Sequence, residues 1–174
     1  MKKEYKNYAF IDSQNLNLAV NDLGWKLDYK RFRIFLADKF DVKTAFLFIG
    51  FIKGNEKLYE SLKKFGYKLV FKPTLPYRKN KINHTKGNVD AELVLHAMIE
   101  YGNYNKAVII SGDGDFHCLI EYLLKERKLE CVIVPNFFKF SALLRKFMPH
   151  LVFLNRLKDK LEYKKRGINL RTKP

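Results

Sequence analysis

An α/β fold, with a parallel sheet and helices on both of its faces, is predicted by three features of this sequence. Short β-rich apolar runs alternate with longer stretches of helical spacing. The runs in the middle of the chain lack polar alternation, as strands buried on both faces do. A chain of 174 residues with 47% apolar content is enough for one domain with its own core.

The elements follow in order. The run at 8–11 is a first strand, and helices follow over 14–22 and 29–39. A strand over 44–49, a helix over 55–65 and a strand over 68–71 come next. Residues 72–87 (KPTLPYRKNKINHTKG) hold two prolines, five Lys or Arg and no acid, which predicts an exposed loop or a β-hairpin too basic to bury. The helix over 89–101 keeps Leu93, Ala97 and Tyr101 at three-to-four spacing. A strand over 107–110, a helix over 115–126, a strand over 130–134, a helix over 139–146 and a strand over 150–154 complete the pattern. Residues 155–174 carry eight Lys or Arg against two acids and read as a helix start that frays into a flexible basic tail. The chain is thus expected to divide into a globular domain over 1–154 and a basic helix or tail over 155–174.

Composition narrows the function. There are 34 Lys and Arg against 18 Asp and Glu, a net charge of +16, which points to a polyanionic partner, either nucleic acid or an acidic membrane surface. No run of about 18 apolar residues exists, so no transmembrane helix is expected. The start, MKKEYKNYAFID, lacks the apolar core of a signal peptide, and a cytoplasmic protein is expected. Cys118 and Cys131 lie in apolar stretches and read as small buried hydrophobes. Neither they nor the four histidines have zinc-ligand spacing.

Four acids stand at strand-to-helix transitions. Asp12 follows YAFI, Asp113 and Asp115 follow AVIISG, and Asp90 opens a helix. In a parallel sheet these positions share the C-terminal edge. With strands ordered 3-2-1-4-5, Asp12 faces the Asp113/Asp115 pair across the switch point where ligands bind. Crowded carboxylates repel unless a cation joins them, and hard oxygen donors suit Mg²⁺ or Mn²⁺. Each acid also has a structural reading: Asp12 or Asp115 as a helix cap, Asp90 as a complement to a helix dipole. SGDGDF is neither a GxGxxG fingerprint nor a phosphate loop, and no GxSxG elbow exists. As a calcium loop begun at Asp113 it places His117 at position five and Leu124 where Glu is needed. Ser13, Ser111 and Thr85 read as hydroxyls that bond loops or support ligands.

The segments YAFIDSQNL, KGNVDAELVLHAM and AVIISGDGDFHCLI resemble the NYN-domain, LabA-like branch of the PIN-like nucleases, whose pattern is IDxxN, then KG-x-D, then SGDxDF. The similarity covers residues 6–154. It implies a Rossmann-like PIN-type three-layer sandwich with a mostly parallel central sheet, and metal-dependent RNA hydrolysis. By position it implies an acidic centre of Asp12, Asp90, Asp113 and Asp115 around Mg²⁺ or Mn²⁺, with Asn15 orienting a ligand or water. Many members carry an Asp where this chain has His96, and this departure from the family pattern favours one tightly held ion over two. His96 itself reads as a helix-face residue sharing a face with Glu92.

The expected partner is RNA. Tyr77, Arg78, Lys79, Lys81, His84 and Lys86 on the basic segment are the candidate contacts, with the cations on phosphates and Tyr77 stacking on a base. Residues 137–140 (FFKF) read as core or interface, compatible with a homodimer. A metal-dependent ribonuclease acting on single-stranded or structured RNA is the leading expectation. An RNA-binding adaptor with a weak or inactive site is the alternative. A phosphatase of small esters is disfavoured, because DxD is expected after the first strand and Asp12-Ser13-Gln14 stands there.

Overall fold

The computed structural model describes residues 6–72, 75–79, 82–86 and 89–164, with backbone alone for the two short stretches. Strand β1 (Asn7–Asp12) is the apolar run NYAFID. Its side chains alternate between two cores: Ala9 and Ile11 enter one and Phe10 the other, all fully buried. Helices α1 (Ser13–Asp22) and α2 (Tyr29–Phe40) lead to β2 (Val42–Gly50), and α3 (Glu56–Lys64) leads to β3 (Tyr67–Lys72). A separate antiparallel ribbon, β4 (Leu75–Lys79) and β5 (Ile82–Lys86), pairs Tyr77 with His84. Then come α4 (Asp90–Ile99), β6 (Ala107–Ile110), α5 (His117–Lys125), β7 (Leu129–Val134), β8 (Leu151–Phe153) and the short α6 (Lys158–Leu161).

The six-stranded sheet has the order β3-β2-β1-β6-β7-β8, and every pairing in it is parallel. With the ribbon set aside, this is the expected order extended by one strand. It reverses direction between β1 and β6, which creates the switch point. Helices cover both faces. On one, Leu16 and Val20 of α1 and Phe32 and Leu36 of α2 pack on Ile11, Leu47 and Ile110. On the other, Leu93 and Ala97 of α4 and Leu119 and Leu123 of α5 pack on Phe10, Ile109 and Val132. Each helix buries residues four apart, which is the stripe a 3.6-residue period predicts.

The structure departs from expectation in three places. Residues 139–146 form no α-helix; a 3-10 helix (Ala142–His150) occupies this region, started by Ser141, whose hydroxyl accepts from the Leu143 N–H at 3.3 Å. Pro149 within it has no N–H and disfavours α geometry before it. Cys131 is buried as expected, but Cys118 is exposed. Its apolar neighbours Leu119 and Ile120 take the inward face of α5, and Cys118 falls outside that stripe. Finally, the chain stays packed beyond Leu154: Leu154 and Leu161 are buried in the α1/α2 core. Backbone bonds tie this segment to the start of α2, from the Asp28 N–H to the Leu161 carbonyl (2.8 Å) and from the Tyr163 N–H to the Lys26 carbonyl (2.8 Å). Residues 165–174, where the frayed tail was expected, lie outside the described residues. Among the described residues no helix is long and apolar enough to cross a membrane.

Candidate metal centre

The C-terminal ends of β1 and β6 stand side by side, in register from Tyr8 with Ala107 to Ile11 with Ile110. The residues that follow each strand therefore meet at one edge. Asp12 ends β1 and caps α1: its Oδ1 accepts from the Asn15 N–H at 3.0 Å. The capping reading of Asp12 is thus correct, yet the cap uses only one of its oxygens. Oδ2 accepts from the Ser111 hydroxyl at 3.2 Å, and the Ser111 Oγ in turn accepts from the Asp113 N–H at 3.1 Å. A hydroxyl relay thus ties the end of β1 to the turn after β6.

Asn15 adds a second tie. Its Oδ1 accepts from the Gly112 N–H at 2.8 Å, so its side-chain oxygen braces the β6 turn. Asp113 caps the short 3-10 helix Gly114–Phe116, accepting from the Asp115 N–H at 3.0 Å. Both glycines of SGDGDF have ordinary backbone angles; positive φ among the described glycines occurs at Gly24, Gly54 and Gly66. Gly114 is required by space instead. A Cβ there would overlap the Ser141 hydroxyl and lie 2.9 Å from Ser141 Cβ and 3.1 Å from Leu143 Cδ1. The start of the 3-10 helix Ala142–His150 therefore presses directly on the acidic turn, a contact that the sequence pattern did not signal.

The carboxylates of Asp90, Asp113 and Asp115 converge: one oxygen of each lies within 4.8 Å of those of the others. Asp90 and Asp113 are half-buried and Asp115 is exposed. Asp12 is not one of this trio and is 5% exposed. Burial pushes its carboxyl up from 3.8 to about 6; the bonds from Asn15 and Ser111 pull it down, and the charges of Asp90 and Asp113 push it further up. The structure therefore groups Asp90 with the Asp113/Asp115 pair and leaves Asp12 as a buried neighbour engaged by two donors.

The donor set fits a small hard cation. Three carboxylate oxygens that converge within 4.8 Å of one another are the hard, negatively charged donors that suit Mg²⁺ or Mn²⁺. His96 does not join them. Its ring packs edge-on against Phe48 at 5.4 Å between centroids, and its Nδ1 is 2.9 Å from the Glu92 carbonyl oxygen. Glu92 pairs with Lys72 at 3.4 Å.

Of the expected RNA contacts, Lys81 lies outside the described residues, as do the side chains of Tyr77, Arg78, Lys79, His84 and Lys86; the side chain of Thr85 does too. Their backbone forms the β4/β5 ribbon, placed in the chain between the end of β3 and Asp90. Sequence reasoning missed a cavity of about 360 Å³ beside the acids, lined by Ser13, Asn17, Tyr29, Phe48, Leu58 and Val89 among others.

Known proteins share the fold of this chain. The NYN domain matches the chain over residues 7–173. The low amplitude and bright protein LabA of Synechococcus elongatus is 24% identical over 160 residues, covering 88% of this chain and 86% of that protein. The crystal structure of a Vibrio parahaemolyticus protein of unknown function shares the fold, with a TM-score of 0.71 at 20% identity, over 94% of this chain and all of the other.

Proposed function

This chain belongs to the NYN domain family of PIN-like nucleases, and on that premise we propose that it is a divalent-metal-dependent ribonuclease acting on single-stranded or structured RNA. The observation that supports this most directly is the convergence of Asp90, Asp113 and Asp115 at the switch point of a strongly basic protein. These three carboxylates would hold Mg²⁺ or Mn²⁺. Held there, a divalent cation would supply positive charge to the scissile phosphate and lower the pKa of an attacking water.

The chain's own residues supply positioning. Asp12 places a further negative charge near Asp90 and Asp113, and the Asp12–Ser111–Asp113 relay holds the acidic turn against β1. Asn15 holds the same turn through Gly112 and leaves its amide nitrogen to orient substrate or water. Positive charge on the ribbon segment, with Arg78, Lys79, Lys81 and Lys86, and on the C-terminal stretch would hold the RNA backbone, leaving the acids to the scissile phosphate. An open edge reaches unpaired RNA without melting a duplex.

The test compares the wild type with Asp113→Asn on labelled RNA oligomers, in Mn²⁺, in Mg²⁺ and in EDTA. The wild type should cleave only with metal. The variant should not cleave, should bind Mn²⁺ more weakly by calorimetry, and should melt at the same temperature or higher without metal, because one of several repelling charges is gone. Undiminished cleavage by the variant or in EDTA would remove the acidic cluster from the reaction. Tight RNA binding with no turnover in any metal would make the protein an RNA-binding adaptor.

A further inference from the structure

We propose that the cavity beside the acidic cluster is a nucleobase subsite, which takes one unstacked base of the RNA strand whose phosphate lies at the carboxylates; this rests on the ribonuclease reading and adds a recognition element to it.

Position is the first argument. Ser13, which follows Asp12, and Val89, which precedes Asp90, both line the cavity. Consecutive Cα atoms are about 3.8 Å apart, so two of the lining residues stand next in the chain to two of the acids. A strand with a phosphate at the acids has its adjoining base within reach of this opening.

The chemistry of the walls is the second. The floor is aromatic and aliphatic, with Phe48 fully buried and Tyr29 half-buried beneath the opening. Three rim residues from three separate segments remain exposed although they are large and apolar: Leu18 of α1 at 56%, Ile52 of the β2–α3 connection at 48% and Leu58 of α3 at 45%. Scattered exposed leucines are ordinary, but three that converge on one opening are unusual on a chain of this charge. Polar side chains in the lining are few: the hydroxyls of Ser13 and Tyr29, and the amides of Gln14 and Asn17 on α1 beside Ser13. Apolar walls with a few polar groups match a flat heteroaromatic ring whose rim carries donors and acceptors.

Size and charge are the third. A volume of about 360 Å³ lies within the range of small-ligand sites, roughly 300–1,000 Å³, and leaves room for a purine or a pyrimidine with its ribose. An apolar segment of a protein would fill the walls equally well, but a net charge of +16 favours a polyanion as the molecule that arrives at this edge.

The experiment measures binding in EDTA, so it does not depend on cleavage. The probes are a fluorescent RNA oligomer and the same oligomer with its bases removed at successive positions. The variant is Ile52→Gln with Leu58→Gln, which changes the rim without changing charge; both residues are about half exposed, and a melt checks the fold. The double variant should bind the intact oligomer about tenfold more weakly, with the salt slope unchanged, and should bind the abasic oligomer as the wild type does. Equal affinity of the wild type for intact and abasic RNA would overturn the subsite. So would a variant that binds both oligomers unchanged, or a wild-type dimer that the variant dissolves without any base-dependent loss. Failure of the ribonuclease reading looks different: base-dependent binding would persist with no metal-dependent cleavage.

Discussion

Asp12→Asn tests whether the buried carboxylate is held against its own preference. In the folded protein the Asp12 carboxyl is pushed up from 3.8 to about 6, chiefly by burial and further by Asp90 and Asp113. Below pH about 4 this acid is neutral in both folded and unfolded chains and has no effect on stability. As pH rises toward 6 the unfolded chain releases the proton while the folded one keeps it, so stability falls, by about 3 kcal/mol once the folded pKa is passed. Asparagine keeps the shape and cannot ionise. Its Oδ1 still accepts from Asn15, and its amide would donate to Ser111. The variant should therefore gain on the wild type by about 2 kcal/mol between pH about 4.5 and about 7.5, measured by denaturant melts in EDTA. Adding Mn²⁺ should narrow the gap, because a cation at the neighbouring carboxylates favours the ionised form of Asp12. A difference that stays constant with pH, or that widens toward low pH, would show that burial does not set this carboxyl's titration.

Three further outcomes follow from particular contacts. Gly114→Ala should destabilise the protein by about 1–3 kcal/mol, seen as a lower Tm, since the added methyl meets Ser141 and Leu143; Ser141→Gly should restore part of the loss. Leu161→Ala should cost about 2–4 kcal/mol, because this side chain is 1% exposed in the core, whereas deleting residues 164–174 should leave the Tm unchanged and weaken RNA binding modestly. RNA affinity should fall steeply with salt, with a slope of log K on log salt of about −0.7 for each phosphate contacted; a slope near zero would refute the electrostatic role of the basic surface.

Much of the fold was legible in the sequence because its signals are local. Val, Ile and Phe runs such as AVII mark strands, and pairs such as Leu93 and Ala97 mark the buried stripe of a helix. The edge on which the acids stand was legible too. In a parallel sheet, every strand end and following helix start fall on one side, so Asp12, Asp90, Asp113 and Asp115 had to share it. The basic segment was readable as either loop or hairpin, since composition sets exposure but not pairing.

The sequence alone determined, then, a parallel α/β sheet, the edge that carries its acids, and a charge suited to a polyanion. Only the tertiary structure decided which acids meet. Asp90 joins Asp113 and Asp115 because Leu93 and Ala97 anchor α4 on the sheet beside the β6 turn, while Asp12 is buried nearby with bonds from Asn15 and Ser111. Gly114 is required by the approach of Ser141, which is distant in sequence, and not by its own backbone angles. The cavity takes its walls from α1, β2, α3 and the residue before α4. Propensity and periodicity act over a few residues, whereas convergence, close approach and cavities are set by packing between segments far apart in the chain, and no local pattern records those distances.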